Sequence, residues 1–396
     1  MEIEPWWLLV LPLFFGLGWL ASRIDTRHLI RQSSRLPDTY FKGLNFLVNE
    51  QPDRAIDAFV DVVRLDPETI ELHFALGNLF RRRGETDRAI RVHQSLESRS
   101  DLSPAQRDHA RFELGQDYMR AGLLDRAEDA FNRLEGSDYA GAALRHRLDL
   151  AQRVRDWPRV IVLAERLARD TGDDPRRLMV HAHCELAWQA YRSQQPDRLA
   201  QARRALTQAR ETDPTHPRPR LLEGEVAFED DDFEAAIAAW TALAEIGPAH
   251  LPLVAERWLQ AHERLGRLDE GLARLEAVDA THPSVDSLRA LAQARARRDG
   301  GEAAVGWLRE ALARQPSLLG LQTLIDLRIQ SGLADPATSD VALAGALIRK
   351  QSERLSRYVC GECGFQARRF YWQCPGCNQW DRTPPRRTEA LESEGP

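Results

Sequence analysis

Two pairs of cysteines close to the C-terminal end, Cys360/Cys363 and Cys374/Cys377, are the residues whose type and spacing most directly predict chemistry. Each pair is a CxxC, and ten residues separate the pairs, which lets four thiolates converge on one tetrahedral metal ion, iron or zinc. The residue after each second cysteine, Gly364 or Asn378, tolerates the positive φ that a tight metal-binding knuckle needs, and Pro375 stiffens the second turn. A redox CxxC needs one such pair, at a strand-to-helix junction that the pattern lacks. Disulfides require an oxidising compartment. Tyr358, Phe365, Phe370, Tyr371, Trp372 and Trp380 crowd the motif. A module this small needs aromatics for a miniature core, while Arg368 and Arg369 add charge that suits a partner-recognition surface.

Few other residues form a constellation that could react. The two lysines, Lys42 and Lys350, follow no glycine-rich loop and precede no Ser or Thr, so there is no Walker A phosphate cradle. No GxSxG nucleophile elbow occurs, and His262-Glu263 lacks the second histidine of HExxH. His181 and His183, two apart in a helical stretch, read as surface or packing residues, and Cys184 as a buried small apolar side chain. The expectation is a protein that is not an enzyme. A net charge of −6 and a pI near 6.0 give no general attraction to nucleic acid.

The apolar run Trp6 to Ala21 would reach about 24 Å as a helix, short but workable as a membrane span. Glu2 and Glu4 precede it and no small-residue cleavage site follows, so a retained anchor is expected rather than a signal peptide. Trp6, Trp7 and Trp19 suit interfacial belts. Arg23, Arg27, Arg31 and Arg35 follow the run, which by the positive-inside rule puts the rest of the chain in the cytoplasm. A reducing cytoplasm leaves the four cysteines to metal rather than disulfides.

Between anchor and cysteines, one pattern recurs. Gly43, Ala55, Phe59 and Pro67 are echoed by Gly77 and Ala89, by Gly115, Ala127 and Phe131, and by Gly224, Ala236, Trp240 and Pro248. This period and these small residues are those of tetratricopeptide repeats. A small residue on the first helix lets the second approach, and Ala followed four residues later by Phe or Trp lies on one face. The expected architecture is all-α: residues 1–22 as anchor, 23–38 as a basic linker, 39–350 as a superhelical array of about eight units with terminal helices, 351–383 as the metal domain, and 384–396 as a disordered tail. The signature fades around Leu148 to Ala168 and Ala182 to Pro214, where a kink or insertion is expected. The metal domain follows the last helix without a linker and is expected to pack on the array's end. First-helix positions facing the groove include Tyr40, Phe74, Asn78, Arg81, Phe112, Gln116 and Met119, a mixture that suits a peptide partner.

Together, the short N-terminal anchor, the long repeat array and the terminal CGECG…CPGC knuckle resemble the lipopolysaccharide assembly protein B family over essentially the whole chain. That resemblance implies a single-pass protein of the bacterial inner membrane. It would help an FtsH-type membrane protease degrade the lipid A deacetylase, UDP-3-O-acyl-N-acetylglucosamine deacetylase, and so restrain lipopolysaccharide synthesis. It also implies an opposing lipopolysaccharide-sensing inner-membrane regulator as a partner, and a rubredoxin-type site on Cys360, Cys363, Cys374 and Cys377. Two other readings stand beside it: a general scaffold for lipopolysaccharide synthesis and export proteins, and a rubredoxin-like redox protein. Whether two chains form a homodimer is left open.

Overall fold

The computed structural model describes residues 70–333, 340–355 and 357–388, with scattered positions between 42 and 60. The apolar run with Trp6, Trp7, Trp19 and Arg23, and also Tyr40, lie outside the described residues. Among the described residues no helix is long and apolar enough to cross a membrane. The chain divides into two compact units, Met1–Leu150 and Ala151–Pro396.

The first unit contains α1 (Ile70–Arg83), α2 (Thr86–Glu97), α3 (Pro104–Arg120), α4 (Leu124–Asn132) and most of α5 (Ala140–Arg153). Ser103 starts α3 with a capping box: its hydroxyl accepts from the Gln106 N–H while the Gln106 side chain accepts from the Ser103 N–H. The repeat glycines act as the sequence suggests. A Cβ on Gly115 would stand 2.7 Å from the Phe131 ring, and one on Gly77 would run into His93. His93 thus fills the place that Phe131 takes one repeat later, four residues after a buried alanine.

The second unit continues with α6 (Trp157–Thr171), α7 (Arg176–Arg192), α8 (Arg198–Thr212), α9 (Pro217–Glu229), α10 (Phe233–Ile246), α11 (Ala255–Arg264), α12 (Leu268–Thr281), α13 (Val285–Asp299), α14 (Gly301–Arg314), α15 (Leu318–Gln330) and α16 (Asp340–Leu355). Gly224 lies against Trp240, whose indole donates to the Leu221 carbonyl at 3.1 Å. One core runs through Val180, Leu206, Trp240, Leu251, Trp258 and Leu291. The helices between 140 and 212 carry no insertion within them; alanines 202, 205 and 209 supply the close approach where the glycine signature fades. The irregular segment is a 3-10 helix, Pro248–Leu253, where Pro252 inside the helix lacks the N–H that a regular α-helix would need there.

Residues 357–388 form a ribbon. Its two short strands, β1 (Tyr358–Val359) and β2 (Gln366–Ala367), pair antiparallel with Tyr358 opposite Ala367. Thr388 pairs with Arg357, so the ribbon's edge runs beyond residue 383, the limit expected from composition.

Candidate metal centre and its seat

Each knuckle is a turn closed on itself. The Gly364 N–H donates to the Cys360 carbonyl at 3.0 Å, and the Asn378 N–H to the Cys374 carbonyl at 2.8 Å. Both donors have positive φ, 72° at Gly364 and 58° at Asn378. The turns bring the four sulfurs together: Cys360 Sγ is 3.8 Å from Cys377 Sγ, and Cys363 Sγ is 3.7 Å from Cys374 Sγ. A tetrahedron with metal–sulfur bonds near 2.3 Å has edges of about 3.8 Å. A disulfide would hold its sulfurs at about 2.05 Å.

The electrostatics fit the same group. Backbone N–H donors, from Cys363 first, lower the Cys360 thiol to about 7. At Cys377 the Gln379 N–H pulls downward, but burial and the neighbouring thiols push it up to about 12. Four thiolates at this spacing need a cation among them, and the four cysteines fit one metal ion in a rubredoxin-type site.

The ribbon does not sit on the array's end. It lies against α7, α9, the 3-10 helix and the start of α13, and four side chains spaced about 34 to 36 residues apart, one per repeat, receive it. His181 on α7 stacks on Trp380, with ring centroids 4.2 Å apart. His216, which caps α9, lies tilted against Trp372 at 5.8 Å. His250 in the 3-10 helix stacks on Trp372 at 5.1 Å. Asp286 on α13 accepts from the Tyr358 hydroxyl at 3.0 Å and from Arg387 at 3.1 Å. Trp380 also donates to Gln152 at 3.1 Å. The aromatics expected to fill a private core are therefore shared: Tyr358, Trp372 and Trp380 face the helices, while Phe365 and Tyr371 remain exposed.

Asp381 locks this seat. Its Oδ2 lies 2.9 Å from His181 Nε2 and 3.4 Å from His216 Nε2. Arg218, itself buried, donates to His181 Nδ1 at 2.9 Å and pairs with Glu185. Because Nδ1 accepts from a guanidinium, the neutral imidazole carries its proton on Nε2 and gives it to Asp381. Burial lowers His181 to about 4, with Arg218 pulling the same way against Asp381. Burial raises the Asp381 carboxyl, but the hydrogen bonds from His181 and His216 outweigh it and hold it well below the carboxylate range. His181, His216 and Asp381 are close enough to hold a metal. Arg218 argues for the hydrogen-bonded lock, since a metal on Nε2 would force a proton onto Nδ1, facing another donor.

The other residues singled out in sequence are placed as follows. Phe74 is buried and stacks on His109 at 4.1 Å. Arg81 donates to Asn78 at 2.6 Å and to Asp117 at 2.9 Å, and also pairs with Glu113. Phe112 stacks on Tyr139 at 5.0 Å, and Gln116 and Met119 are half-buried on the same helix. Arg368 and Arg369 are exposed on the ribbon. Cys184 is fully buried, and burial pushes its thiol up to about 12.

Comparison with known proteins agrees with both parts. Residues 358–382 match the family model described as a rubredoxin metal binding domain, and residues 42–104 and 186–250 match the tetratricopeptide repeat model. Lipopolysaccharide assembly protein B of Escherichia coli K12 is 32% identical over 379 residues, spanning 95% of this chain and 97% of that one. The chain belongs to the lipopolysaccharide assembly protein B family. The Haemophilus influenzae protein of that name is 28% identical over 387 residues, with 95% and 97% coverage. A tetratricopeptide repeat protein from Parabacteroides merdae aligns over 74% of this chain and 98% of its own at 14% identity, with a TM-score of 0.26, too loose to carry an argument.

Proposed function

We propose that this chain is a membrane-anchored adaptor that restrains lipopolysaccharide synthesis by presenting the lipid A deacetylase to an FtsH-type protease. Membership of the lipopolysaccharide assembly protein B family over 95% of the chain carries the reading. In it, the apolar run at Trp6, Trp7 and Trp19, followed by Arg23, anchors the chain in the bacterial inner membrane with repeats and ribbon in the cytoplasm. Confinement to one membrane raises the effective concentration of protease and substrate, and the repeat helices supply binding surface without turnover by the chain itself. Gln116 and Met119 on α3, and Arg368 and Arg369 on the ribbon, are contact positions in this reading. A lipopolysaccharide-sensing membrane regulator would oppose capture, and chain pairing would act through span or array. The bound metal's contribution is to cross-link four thiolates and so hold the ribbon's fold.

The test is the half-life of the deacetylase after translation is stopped, in cells with and without this chain, with lipopolysaccharide measured in parallel. Loss of the chain is expected to lengthen the half-life and raise lipopolysaccharide. An unchanged half-life sinks the adaptor role. The relatives' name favours, as a second reading, a scaffold that gathers lipopolysaccharide assembly proteins, in which capture occurs without any change in protein lifetime.

A further inference from the structure

The seated ribbon does not close flush against the helices of the second unit. It leaves a cleft of about 1290 Å³, floored by α7, α9 and the 3-10 helix and roofed by residues 368–373. That volume exceeds the few hundred to about 1,000 Å³ usual for small-molecule sites and suits a length of chain. The cleft's charge opposes that of the whole protein: eight arginines and four carboxylates line it, in a chain of net charge −6.

Four of those arginines are committed. Arg218 pairs with Glu185, Arg387 with Asp286, Arg257 with Glu229 at 3.1 Å, and Arg289 approaches Glu256 at 4.0 Å. The other four, Arg155, Arg192, Arg368 and Arg369, have no carboxylate partner among the described residues. Arg192 only lies over Trp188, at 5.4 Å. Guanidiniums converging on one cleft, with aromatic side chains from both walls and few competing acids, have the composition of a surface that reads carboxylates.

We propose that this cleft binds an extended acidic segment of a partner protein, whose carboxylates pair with Arg155, Arg192, Arg368 and Arg369 while its apolar side chains rest on Trp188 and Tyr371. The four wall carboxylates are themselves paired with Arg218, Arg257, Arg289 and Arg387, so four guanidiniums rather than eight are left for a ligand, which fits the spaced carboxylates of a peptide better than a uniformly charged polyanion. The proposal rests on the adaptor reading for where the segment comes from. The seat of the ribbon then has a second consequence, since one wall of the site exists only while the ribbon is docked.

The experiment uses the purified full chain in detergent and a fluorescein-labelled decapeptide of alternating glutamate and leucine. Comparison probes are the same peptide with glutamine for glutamate, a single-stranded oligonucleotide, and phosphatidylglycerol vesicles. Saturable binding of the glutamate peptide, reduced by salt, is expected. Arg368→Glu with Arg369→Glu should weaken it about tenfold or more, and Arg155→Glu should weaken it further. Arg314→Glu, a charge reversal at an exposed position outside the cleft, should not. Both Arg368 and Arg369 are exposed, and unchanged metal content confirms that the ribbon is intact in the variant. No binding by the wild type, equal binding by the Arg368/Arg369 variant, equal binding of the glutamine peptide, or tighter binding of oligonucleotide or vesicle overturns the proposal. The deacetylase half-life reports separately: if it is unaffected while the peptide still binds, the adaptor reading fails and the cleft stands.

Discussion

In the first unit, Arg81 reaches from α1 to Glu113 and Asp117 on α3, and the other oxygen of Asp117 holds His93 Nδ1 at 2.5 Å in full burial. In the second unit, Arg218 reaches from α9 to Glu185 and His181 on α7, but the remaining nitrogen of His181 turns to Asp381, which belongs to the ribbon. The same residue types recur, with an arginine and a glutamate on first helices in both and the histidine on a second helix in one and a first helix in the other, yet one network draws its partners from the repeats alone and the other takes one from an added domain. Buried polar groups are costly unless every partner is present. The second unit's helices therefore depend on the ribbon, and through it on the four cysteines, whereas the first unit's do not.

The largest way to break that contrast is to remove the metal site. Replacing Cys360 and Cys363 with Ser should abolish metal binding, which for structural four-ligand sites supplies about 10 to 16 kcal/mol of folding free energy. Amide hydrogen exchange should then quicken along α7, α9 and the 3-10 helix, where His181, His216 and His250 lose their partners, and stay unchanged along α1 and α3. Retained protection in α7 and α9 of the metal-free protein would show that the seat does not need the ribbon's fold.

Next in size is Asp117→Ala, which strands His93 and takes from Arg81 one of its two carboxylates. Breaking a buried pair from one side costs about 3 to 5 kcal/mol, and the loss of protection should be confined to the first unit. Asp381→Ala is its counterpart in the second unit. It should leave the metal bound while loosening the seat by about 2 to 3 kcal/mol, because two imidazole N–H groups lose their acceptor. If Asp381→Ala instead releases the metal, the seat and the cysteine site are one unit rather than two linked ones.

How much of this the sequence discloses depends on whether the information is local. The cysteine site is legible because two turns and four identical ligands are written in consecutive residues, down to the positive φ of Gly364 and Asn378. The repeat helices are legible because Gly115 and Phe131, or Gly224 and Trp240, meet at a fixed offset within one helix pair. The seat is not local. Asp381 meets His181 across two hundred residues, and nothing near either residue announces the other. A trace does exist: His181, His216, His250 and Asp286 recur at about the repeat period, on α7, at the cap of α9, in the 3-10 helix and at the start of α13, so polar residues recurring once per repeat mark a face waiting for a polar partner. Arg81 and Asn78 illustrate the converse. Their positions suggest a solvated groove, and only the packing shows Arg81 already engaged with Glu113 and Asp117, and Asn78 with Arg81.

Acidification is the gentlest probe and separates the two units by pH rather than by mutation. His181 is buried neutral, with its pKa lowered from about 6.5 to about 4 by burial, with Arg218 and His216 opposing its charge and Asp381 favouring it. A histidine depressed in the folded state stabilises fully above its unfolded pKa, and that stabilisation is lost as pH falls from about 6.5 towards 4, where the unfolded chain binds the extra proton. At about pH 5 the loss from His181 is about 2 kcal/mol, and His250, lowered to about 4 mainly by burial, adds a loss of the same sign. In the first unit the resolved shift on the network is that of Glu113. Burial raises its pKa, but hydrogen bonds from His109 and Arg81 outweigh that and hold it below 4.5. A depressed carboxyl keeps its stabilisation above its unfolded pKa and loses it only as pH falls through the folded one, so the first unit's network should hold until the medium is more acidic. Hydrogen exchange between about pH 7 and 4.5, with bound metal assayed at each step, should therefore show α7 and α9 loosening before α1 and α3. Simultaneous loosening, or loosening of α1 and α3 first, would mean that the histidines do not set the strength of the seat.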